Sequence, residues 1–282
     1  MTVEDFNPHW GASYRLVAAE KWKAKSAALG ADLTRALVEY ARPRPGMRVL
    51  DLASGTGEPA ISLAPEVVPA GHVTALDLSP ELLEIARERA RQRGLTNFST
   101  RAADANHLPF ADASFDLVTS RLGVMFLRED ALREAYRVLK PGGRACFAAW
   151  GPFEQPYWSS TLGIVHKHVG GPVTLPGQNP FEYARPGSLS AALKRAGFEA
   201  HEETQTIAWT WPGSAAEVWE QVQGVVAPFF PMLEGVPPAS WASIHAQVLA
   251  SIGRYVEGNS VKFGAVVVFA AGTKGEGPVS RL

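Results

Sequence analysis

The chain has little of what builds disulfide frameworks, membrane spans or strongly charged surfaces. Its 282 residues include 1 cysteine, Cys146, which excludes an internal disulfide and any paired-cysteine metal or redox motif. The formal net charge is -1, so no overall field attracts nucleic acid or an anionic membrane surface. The longest strongly apolar run, residues 265–271, is far too short to cross a bilayer. We therefore expect a soluble, cytoplasmic protein with no membrane span and no nucleic-acid partner.

What is present is an ordinary globular composition, with 46% hydrophobic and 20% charged residues. From residue 46 onward, short apolar segments alternate with amphipathic ones. Strands are predicted over residues 48–52, 73–76, 98–101, 117–119, 144–149, 198–211 and 261–269. Helices are predicted over residues 24–40, from Ser79 onward, over 130–140 and over 188–196. This alternation indicates an α/β fold with a mostly parallel sheet and helices on both of its faces.

A glycine turn follows the first predicted strand, in the stretch VLDLASGTGEPA. Residues 55–60, GTGEPA, fit the G-x-G-x-x-G/A pattern of dinucleotide-binding turns, and Asp77 follows at the spacing of about 20 residues that this pattern requires. Alone, the pattern is weak, because a glycine turn between strand and helix is often only a tight connection. No Gly-Lys-Ser/Thr sequence follows the turn, which excludes a phosphate-binding P-loop.

Three acidic residues, Asp51, Asp77 and Asp104, lie at or just after the ends of three successive predicted strands. Open α/β sheets bind ligands at this edge. A wall of carboxylates suits a ligand that carries hydroxyls, an amine and a positive charge, and it suits a pyrophosphate poorly. Any one such acid is more often a turn former, so the set of three carries the argument.

The residues around these acids resemble a known family, the class I S-adenosylmethionine-dependent methyltransferases, in the type 11 group that includes the quinone C-methyltransferases. The matching segments are, in order, VLDLASGTGEPA, HVTALDLSPELLEIARERA, AADANHLPFADASFDLVTSRLGVMFL and REAYRVLKPGGRACFAAWGP. The resemblance implies a Rossmann-like, doubly wound sheet of seven mostly parallel strands, the last antiparallel, with helical cap insertions. It also implies S-adenosyl-L-methionine as the cofactor and in-line transfer of its methyl group to a small molecule, which the aromatic residues after Trp150 suggest is apolar or aromatic.

The resemblance assigns the methionine part of the cofactor to the glycine turn. The backbone of Ala53, Ser54, Gly55 and Gly57 is expected to approach it, and Asp51 is expected to reach its amino group directly or through water. The family has glycine where this chain has Ala53. We therefore expect the backbone of residue 53 to avoid angles open only to glycine.

The nucleoside part is assigned to the next two strand ends. The resemblance implies that Asp77 holds the ribose hydroxyls and that Leu78 packs on the adenine. It also implies that Asp104 and the amide of Ala105 read the adenine edge.

The reacting end of the cofactor is assigned to Ser120 and Arg121, which are expected to border the sulfonium. The catalytic residue stays unknown; the candidates for a general base are His166 and His168 in LGIVHKHVGG, and Tyr14. No acid or cysteine cluster accompanies the two histidines, so no metal site is predicted.

Four segments are expected along the chain. Residues 1–45 form an N-terminal helical lid, 46–150 the cofactor-binding core, and 272–282 a flexible tail. Residues 151–271 complete the sheet of the same domain and carry an inserted substrate-binding cap. Aromatic residues there could line an apolar pocket or fill a core: Phe153, Tyr157, Trp158, Trp209, Trp211, Phe229 and Phe230.

Two other functions stay open on the sequence alone. An NAD(P)-dependent oxidoreductase is supported only by the glycine pattern, and a non-catalytic S-adenosylmethionine-binding module would keep the same turn and acids. No basic stripe or added RNA-binding module supports a nucleic-acid methyltransferase. The methyl acceptor, the acceptor atom (carbon, oxygen or nitrogen) and the choice between monomer and dimer are not determined.

Overall fold

The computed structural model describes residues 23–174, 179–225 and 227–276. Trp10, Tyr14 and Trp22 of the expected lid, and residues 277–282 of the expected tail, lie outside the described residues. The chain divides into two compact units. Among the described residues, the core unit comprises 34–150, 182–205 and 267–276; the second unit comprises 23–33, 151–174, 179–181, 206–225 and 227–266.

One sheet runs through the fold. Its strands are β1 Arg48–Leu52, β2 His72–Asp77, β3 Phe98–Ala102, β4 Phe115–Arg121, β5 Leu139–Trp150, β6 Glu199–Trp211, β7 Val256–Glu257 and β8 Ser260–Thr273. The order is β3-β2-β1-β4-β5-β8-β6, and β7 pairs with β8. Strands β1 to β5 are parallel, and β8 is antiparallel to β5. The predicted mostly parallel sheet with an antiparallel last strand is confirmed; the eighth strand is the two-residue β7.

Helix α1 Lys23–Leu29 belongs to the second unit, and α2 Ala31–Ala41 lies mostly in the core unit. The other helices of the core unit are α3 Ala60–Leu63, α4 Pro80–Gln92, α5 Glu129–Val138 and α8 Ser188–Arg195. The hydroxyl of Ser79 accepts a hydrogen bond from the N–H of Leu82 at 3.2 Å, and Pro80 occupies the first helical position, so α4 begins where the sequence predicts.

Two helix predictions differ from the structure. The segment predicted as one helix over 24–40 is split into α1 and α2 at Gly30. The predicted helix over 130–140 ends at Val138, and the Pro-Gly-Gly that follows belongs to β5 rather than to a turn. In both places glycine and proline override the apolar spacing.

The second unit is mainly helical. Its other helices are α6 Pro156–Ser159, α7 Leu162–Val169, α9 Ala215–Val225, α10 Phe230–Glu234 and α11 Trp241–Gly253. Helix α11 packs against α7 and α9, and α10 packs against α7. Within the ranges that the structure describes, no helix has the length and apolar character that a membrane span requires.

Candidate cofactor site at the carboxyl edge of the sheet

The glycine turn connects β1 to the short helix α3. It is fixed by backbone hydrogen bonds from the N–H of Ser54 to the carbonyl of Leu76 (2.9 Å) and from the N–H of Gly57 to the carbonyl of Ser54 (2.9 Å). Gly55 has φ +54°, and a methyl group on it would meet no atom within 4 Å. The backbone at Gly55 is therefore bare and faces open space.

Gly57 has a different reason to be glycine. Its φ is +107°, and a Cβ there would lie 2.5 Å from Cδ1 of Ile61 and 3.1 Å from Cβ of Ala86. Gly57 thus allows α3 and α4 to approach each other at the turn.

Ala53 occupies the left-handed region, with φ +51°. Glycine favours this conformation, but an L-residue can adopt it at a cost of about 1 to 2 kcal/mol, so this φ does not contradict the expectation that residue 53 avoids glycine-only angles. Its methyl group faces Gly123, where an added Cβ would lie 2.6 Å from Cβ of Ala53. A side chain at position 53 therefore requires glycine at position 123.

Asp51, near the end of β1, is fully buried beneath the glycine turn. It is 0% exposed, and its carboxylate accepts hydrogen bonds from the hydroxyls of Ser54 (2.5 Å) and Thr119 (2.7 Å). Burial raises the pKa of this carboxyl to about 7, although the two hydroxyls and the charge of Arg121 act in the opposite direction. Asp51 is therefore not exposed at the surface of the turn, and it contacts the turn through the hydroxyl of Ser54.

Asp77 links the end of β2 to the glycine turn. One carboxylate oxygen accepts the N–H of Gly55 at 2.8 Å, and the other accepts the N–H of Ser79 at 3.0 Å. A carboxylate offers about four acceptor positions, so each oxygen keeps capacity for a further donor. Beside it, Leu78 is 46% exposed, which is unusual for a leucine next to a buried strand.

Asp104 follows β3 and forms a local turn. Its Oδ1 accepts both the backbone N–H of Asn106 (2.9 Å) and the side-chain amide of the same residue (2.8 Å). The adjacent Ala105 is buried. These contacts show the turn-forming role of an aspartate at a strand end.

Ser120 and Arg121 end β4. Ser120 is 0% exposed, and among the described residues its hydroxyl has no hydrogen-bond partner. Arg121 is half-buried and donates a hydrogen bond to the hydroxyl of Thr34 on α2. Burial lowers the pKa of Arg121, and the negative charges of Glu58 and Asp51 oppose that shift.

These residues meet at one edge of the sheet. Strands β3, β2, β1 and β4 are neighbours in that order and run parallel, so their carboxyl ends lie side by side. Asp51 lies beside Thr119 in the register of β1 and β4, and Asp77 beside Ala102 in that of β2 and β3. The predicted gathering of the acids at this edge therefore follows from the topology.

Arg89, on α4, is also part of this region, although it is not among the site residues predicted from the sequence. Its guanidinium donates to the backbone carbonyl of Thr56 (2.6 Å) and to its hydroxyl (3.2 Å), and lies 3.6 Å from the carboxylate of Glu58. Helical spacing could have revealed it, because Arg89 follows the buried Leu82 and Ala86 on one face of α4.

The two histidines considered as bases lie on α7 in the second unit. His166 Nε2 is 2.9 Å from the carbonyl oxygen of Gly171, and His168 Nε2 is 3.0 Å from the side-chain nitrogen of Gln247. Residues two apart on a helix point about 200° apart, so the two rings do not share a face. Within the described ranges, no group of three or more His, Cys, Asp or Glu side chains is placed to hold a metal ion.

Most of the aromatic residues considered for a substrate pocket pack into the core of the second unit. Trp158 and Phe229 are 4% and 1% exposed, with ring centroids 5.5 Å apart. Tyr157 packs edge-on against Trp209 at 5.9 Å. Their burial matches the core-filling interpretation, and Phe153, Phe181 and Phe230 keep partial exposure.

Comparisons with known proteins agree with this geometry. A family model described as a methyltransferase domain matches residues 43–154. The demethylmenaquinone methyltransferase of Thermus thermophilus is 36% identical over 194 residues, covering 63% of this chain and 87% of that protein. The demethylmenaquinone methyltransferase of Listeria welshimeri is 39% identical over 131 residues, which is 45% of this chain and 55% of that protein. The chain thus spans about half the length of the Listeria relative.

A solved structure supports the fold alone. The YcgJ protein of Bacillus subtilis aligns with a TM-score of 0.54 and 21% identity, over 86% of this chain and 98% of that one. With this fold, the family model and the Thermus thermophilus relative define a Rossmann-like methyltransferase. The chain belongs to the class I S-adenosylmethionine-dependent methyltransferases of the quinone C-methyltransferase type. Its cofactor is S-adenosyl-L-methionine, and the comparisons do not favour an oxidoreductase or a non-catalytic module.

Proposed function

We propose that the chain transfers the methyl group of S-adenosyl-L-methionine to a small aromatic acceptor, and that this acceptor is the ring of a reduced quinone. The observation that carries the proposal is the match along most of the Thermus thermophilus protein, whose name gives a demethylated quinone as substrate. A relative from Ectopseudomonas mendocina, 43% identical over 113 residues, is named for ubiquinone and menaquinone C-methylation.

Three features of the core unit fit the cofactor. The open space over Gly55 leaves room for a ligand against bare backbone. Leu78, 46% exposed beside Asp77, offers an apolar surface for an adenine ring. The buried hydroxyl of Ser120, which has no partner within the described part of the chain, supplies a polar atom at the end of β4.

The proposed roles of the nucleoside-binding residues follow from their positions. Asp77 accepts the two ribose hydroxyls while it holds the N–H of Gly55, so ribose binding and turn geometry are coupled through one carboxylate. Leu78 packs on the adenine, and Asp104 with the amide of Ala105 reads the amino edge of that ring.

The methionine part and the sulfonium are assigned to the turn and to β4. The backbone of Ala53, Ser54, Gly55 and Gly57 faces the methionine, with the Asp51 carboxylate behind Ser54. When bound, the cofactor supplies an activated methyl group, so transfer is an in-line displacement that forms a bond to the acceptor and releases a thioether. Ser120 and Arg121 border that centre, where the buried charge of Asp51 favours a cation.

The chain's main task is alignment, because the methyl group is already activated. The ring carbon of a reduced quinone loses a proton as it gains the methyl group, and a neighbouring base would accept that proton. His166, His168 and Tyr14 are the candidates; Tyr14 lies outside the described residues. The single cysteine, buried in β5, supports a cytoplasmic location, and we propose a monomer or a dimer.

Turnover with a short-chain demethylmenaquinol tests the proposal. The full chain, incubated with S-adenosyl-L-methionine and the quinol, should release S-adenosylhomocysteine and a quinol heavier by one methylene unit. The oxidised quinone should give neither product. If the chain binds the cofactor yet methylates no member of a panel of quinols and phenols, the proposed activity is wrong.

A further inference from the structure

The core unit contains a cavity at the edge of the sheet opposite the glycine turn. It has a volume of about 350 Å³. It lies among the end of α2, the starts of β1 and β4, the first half of β5 and the last residue of β8. Because β1 has 5 residues, this edge is about 15 Å from the carboxyl edge, so the cavity is separate from the cofactor site.

The cavity is lined by three arginines, Arg42, Arg44 and Arg144. Across the described ranges, none of the three forms a salt bridge or a side-chain hydrogen bond. The one acidic lining residue is Asp116, and its carboxylate is held by the Lys140 ammonium at 2.7 Å and by the backbone N–H of Arg48 at 2.8 Å. The cavity therefore carries an excess of positive charge in a chain whose formal net charge is -1.

Two of the arginines, Arg144 in β5 and Arg42 at the end of α2, are constrained by their surroundings, whereas Arg44 is exposed in the segment before β1. The guanidinium of Arg144 lies 5.6 Å from the centre of the Tyr40 ring, which orients it, and Arg144 pairs with Thr273 in the sheet register. Arg42 is followed by Pro43, which restricts the backbone at that corner.

Arg42 also occupies a conformation that normally favours glycine. Its φ is +53°, and its N–H closes the end of α2 on the carbonyl of Val38 at 3.1 Å. Glycine is the usual residue at this position after a helix, because a side chain there is strained. The chain keeps a strained arginine in the lining of a positively charged cavity, and a strained residue of this kind points to a role.

From the cavity and its three unpaired guanidinium groups, we infer a binding site for a phosphate-bearing anion. Guanidinium groups match phosphate oxygens in a planar, two-point geometry, and several of them around one cavity select phosphates of high charge. The phosphate could belong to a small phosphorylated metabolite or to the headgroup of an anionic lipid. The inference is independent of the proposed methyl transfer.

The test uses the full chain and inorganic pyrophosphate as the probe, at constant ionic strength. Isothermal calorimetry should show saturable binding. Arg42→Gly suits the positive φ and is expected to fold, and Arg144→Gln removes a second charge. Each substitution should weaken binding about ten-fold, the effect of one lost charge-assisted hydrogen bond. Arg185→Gln, which removes an exposed arginine elsewhere in the core unit, should bind like the unmodified chain.

A second measurement separates the two sources of phosphate. Sedimentation with vesicles of phosphatidylglycerol, against vesicles of phosphatidylcholine, detects a lipid headgroup as the ligand. Binding of either probe that depends on Arg42 and Arg144 supports the site. Failure of both probes, or equal binding by the variants and the unmodified chain, overturns it. The variants should bind S-adenosylhomocysteine normally, which keeps this result distinct from a failure of the cofactor site.

Discussion

The guanidinium of Arg89 donates a hydrogen bond to the backbone carbonyl of Thr56, at 2.6 Å, within the glycine turn. This contact links helix α4 to the glycine turn. The Arg89 side chain is 15% exposed and lies 3.6 Å from the Glu58 carboxylate, so the ion pair is screened less than a surface pair. Burial lowers the pKa of Arg89, and Glu58 opposes that shift. We therefore regard Arg89 as a positioning residue for the turn.

Arg89→Gln should weaken cofactor binding without unfolding the chain. The loss of a charged donor to a carbonyl is worth about 1.5 to 3 kcal/mol, which corresponds to an affinity loss of about ten-fold or more. Calorimetry with S-adenosylhomocysteine measures this, and Arg89→Lys should restore part of the affinity. Arg91→Gln, on the exposed side of the same helix, is the matched control and should bind normally. Equal affinities for Arg89→Gln and Arg91→Gln would rule out the positioning role.

The contact between residues 53 and 123 should appear as an energetic coupling. Gly123→Ala would place its methyl group 2.6 Å from Cβ of Ala53 and 2.8 Å from Oγ of Ser120, and should destabilise the fold by about 1 to 3 kcal/mol. Ala53→Gly should be nearly neutral, since relief of the positive φ offsets the added chain entropy. In the double variant, part of the Gly123→Ala cost should disappear. Urea denaturation of the four proteins measures the coupling, and strict additivity would contradict it.

The buried carboxyl of Asp51 should make the stability of the ligand-free chain depend on pH. Its pKa is raised from 3.8 to about 7, so the folded state holds a proton that the unfolded state has lost. The resulting stabilisation is complete below pH 3.8 and is lost as the pH rises through about 7. Asp51→Asn, a neutral variant, should lack this contribution.

The free energy of unfolding is measured for the unmodified chain and for Asp51→Asn from pH 4.5 to 8. The difference between the two values is compared across this range, because the contributions of the other titrating groups cancel in it. The advantage of the unmodified chain over Asp51→Asn should shrink as the pH increases. A bound cation favours the ionised carboxylate, so cofactor binding at pH 6 should release a proton, detectable from the buffer dependence of the binding enthalpy. A pH-independent difference would show that Asp51 does not titrate in this range.

The candidate bases His166 and His168 are separable by kinetics. His168 is exposed and contacts Gln247, and His166 contacts the carbonyl of Gly171. Because the methyl group is already activated, we expect His166→Ala and His168→Ala to keep kcat within about three-fold, well short of the about 100-fold loss typical of a missing general base. Turnover of the quinol with saturating cofactor measures this. A large loss of kcat at constant KM in either variant would identify that histidine as the base.

Much of the core fold could be predicted from sequence, because strong local signals agree there. The β1 boundaries are those predicted, and the Ser79 cap begins α4 where capping chemistry places it. Gly30 was not recognised as a helix break, and Leu139 begins a strand inside a segment with helical spacing. Gly30 ends α1, and the pairing of Leu139 with Phe115 of β4 begins β5. The local spacing of apolar residues predicts neither boundary.

The positions of the acidic residues in the candidate site could be predicted from the sequence, but the residues that contact them could not. Acids at strand ends can be read from sequence once the strands are known, whereas the partners of each acid depend on the three-dimensional register. Thr119, which donates to Asp51, lies 68 residues away along the chain. Arg89 contacts Thr56 across 33 residues, and the positive φ of Ala53 depends on the space beside Gly123. Local sequence patterns can show that a residue such as Arg89 faces inward, but they do not identify its distant partner.

The central claim is that the Asp77 carboxylate holds the ribose of an adenosine cofactor at the carboxyl edge of the sheet. Calorimetric titration of S-adenosylhomocysteine into the unmodified chain, Asp77→Ala and Asp77→Asn tests it most directly. Asp130→Ala, which removes an exposed carboxylate from α5, serves as the control. We expect saturable binding by the unmodified chain and the control, and a loss of about 100-fold in both Asp77 variants, since two hydroxyl contacts to the carboxylate disappear. Binding unchanged in folded Asp77 variants, or no binding by the unmodified chain, would contradict the account.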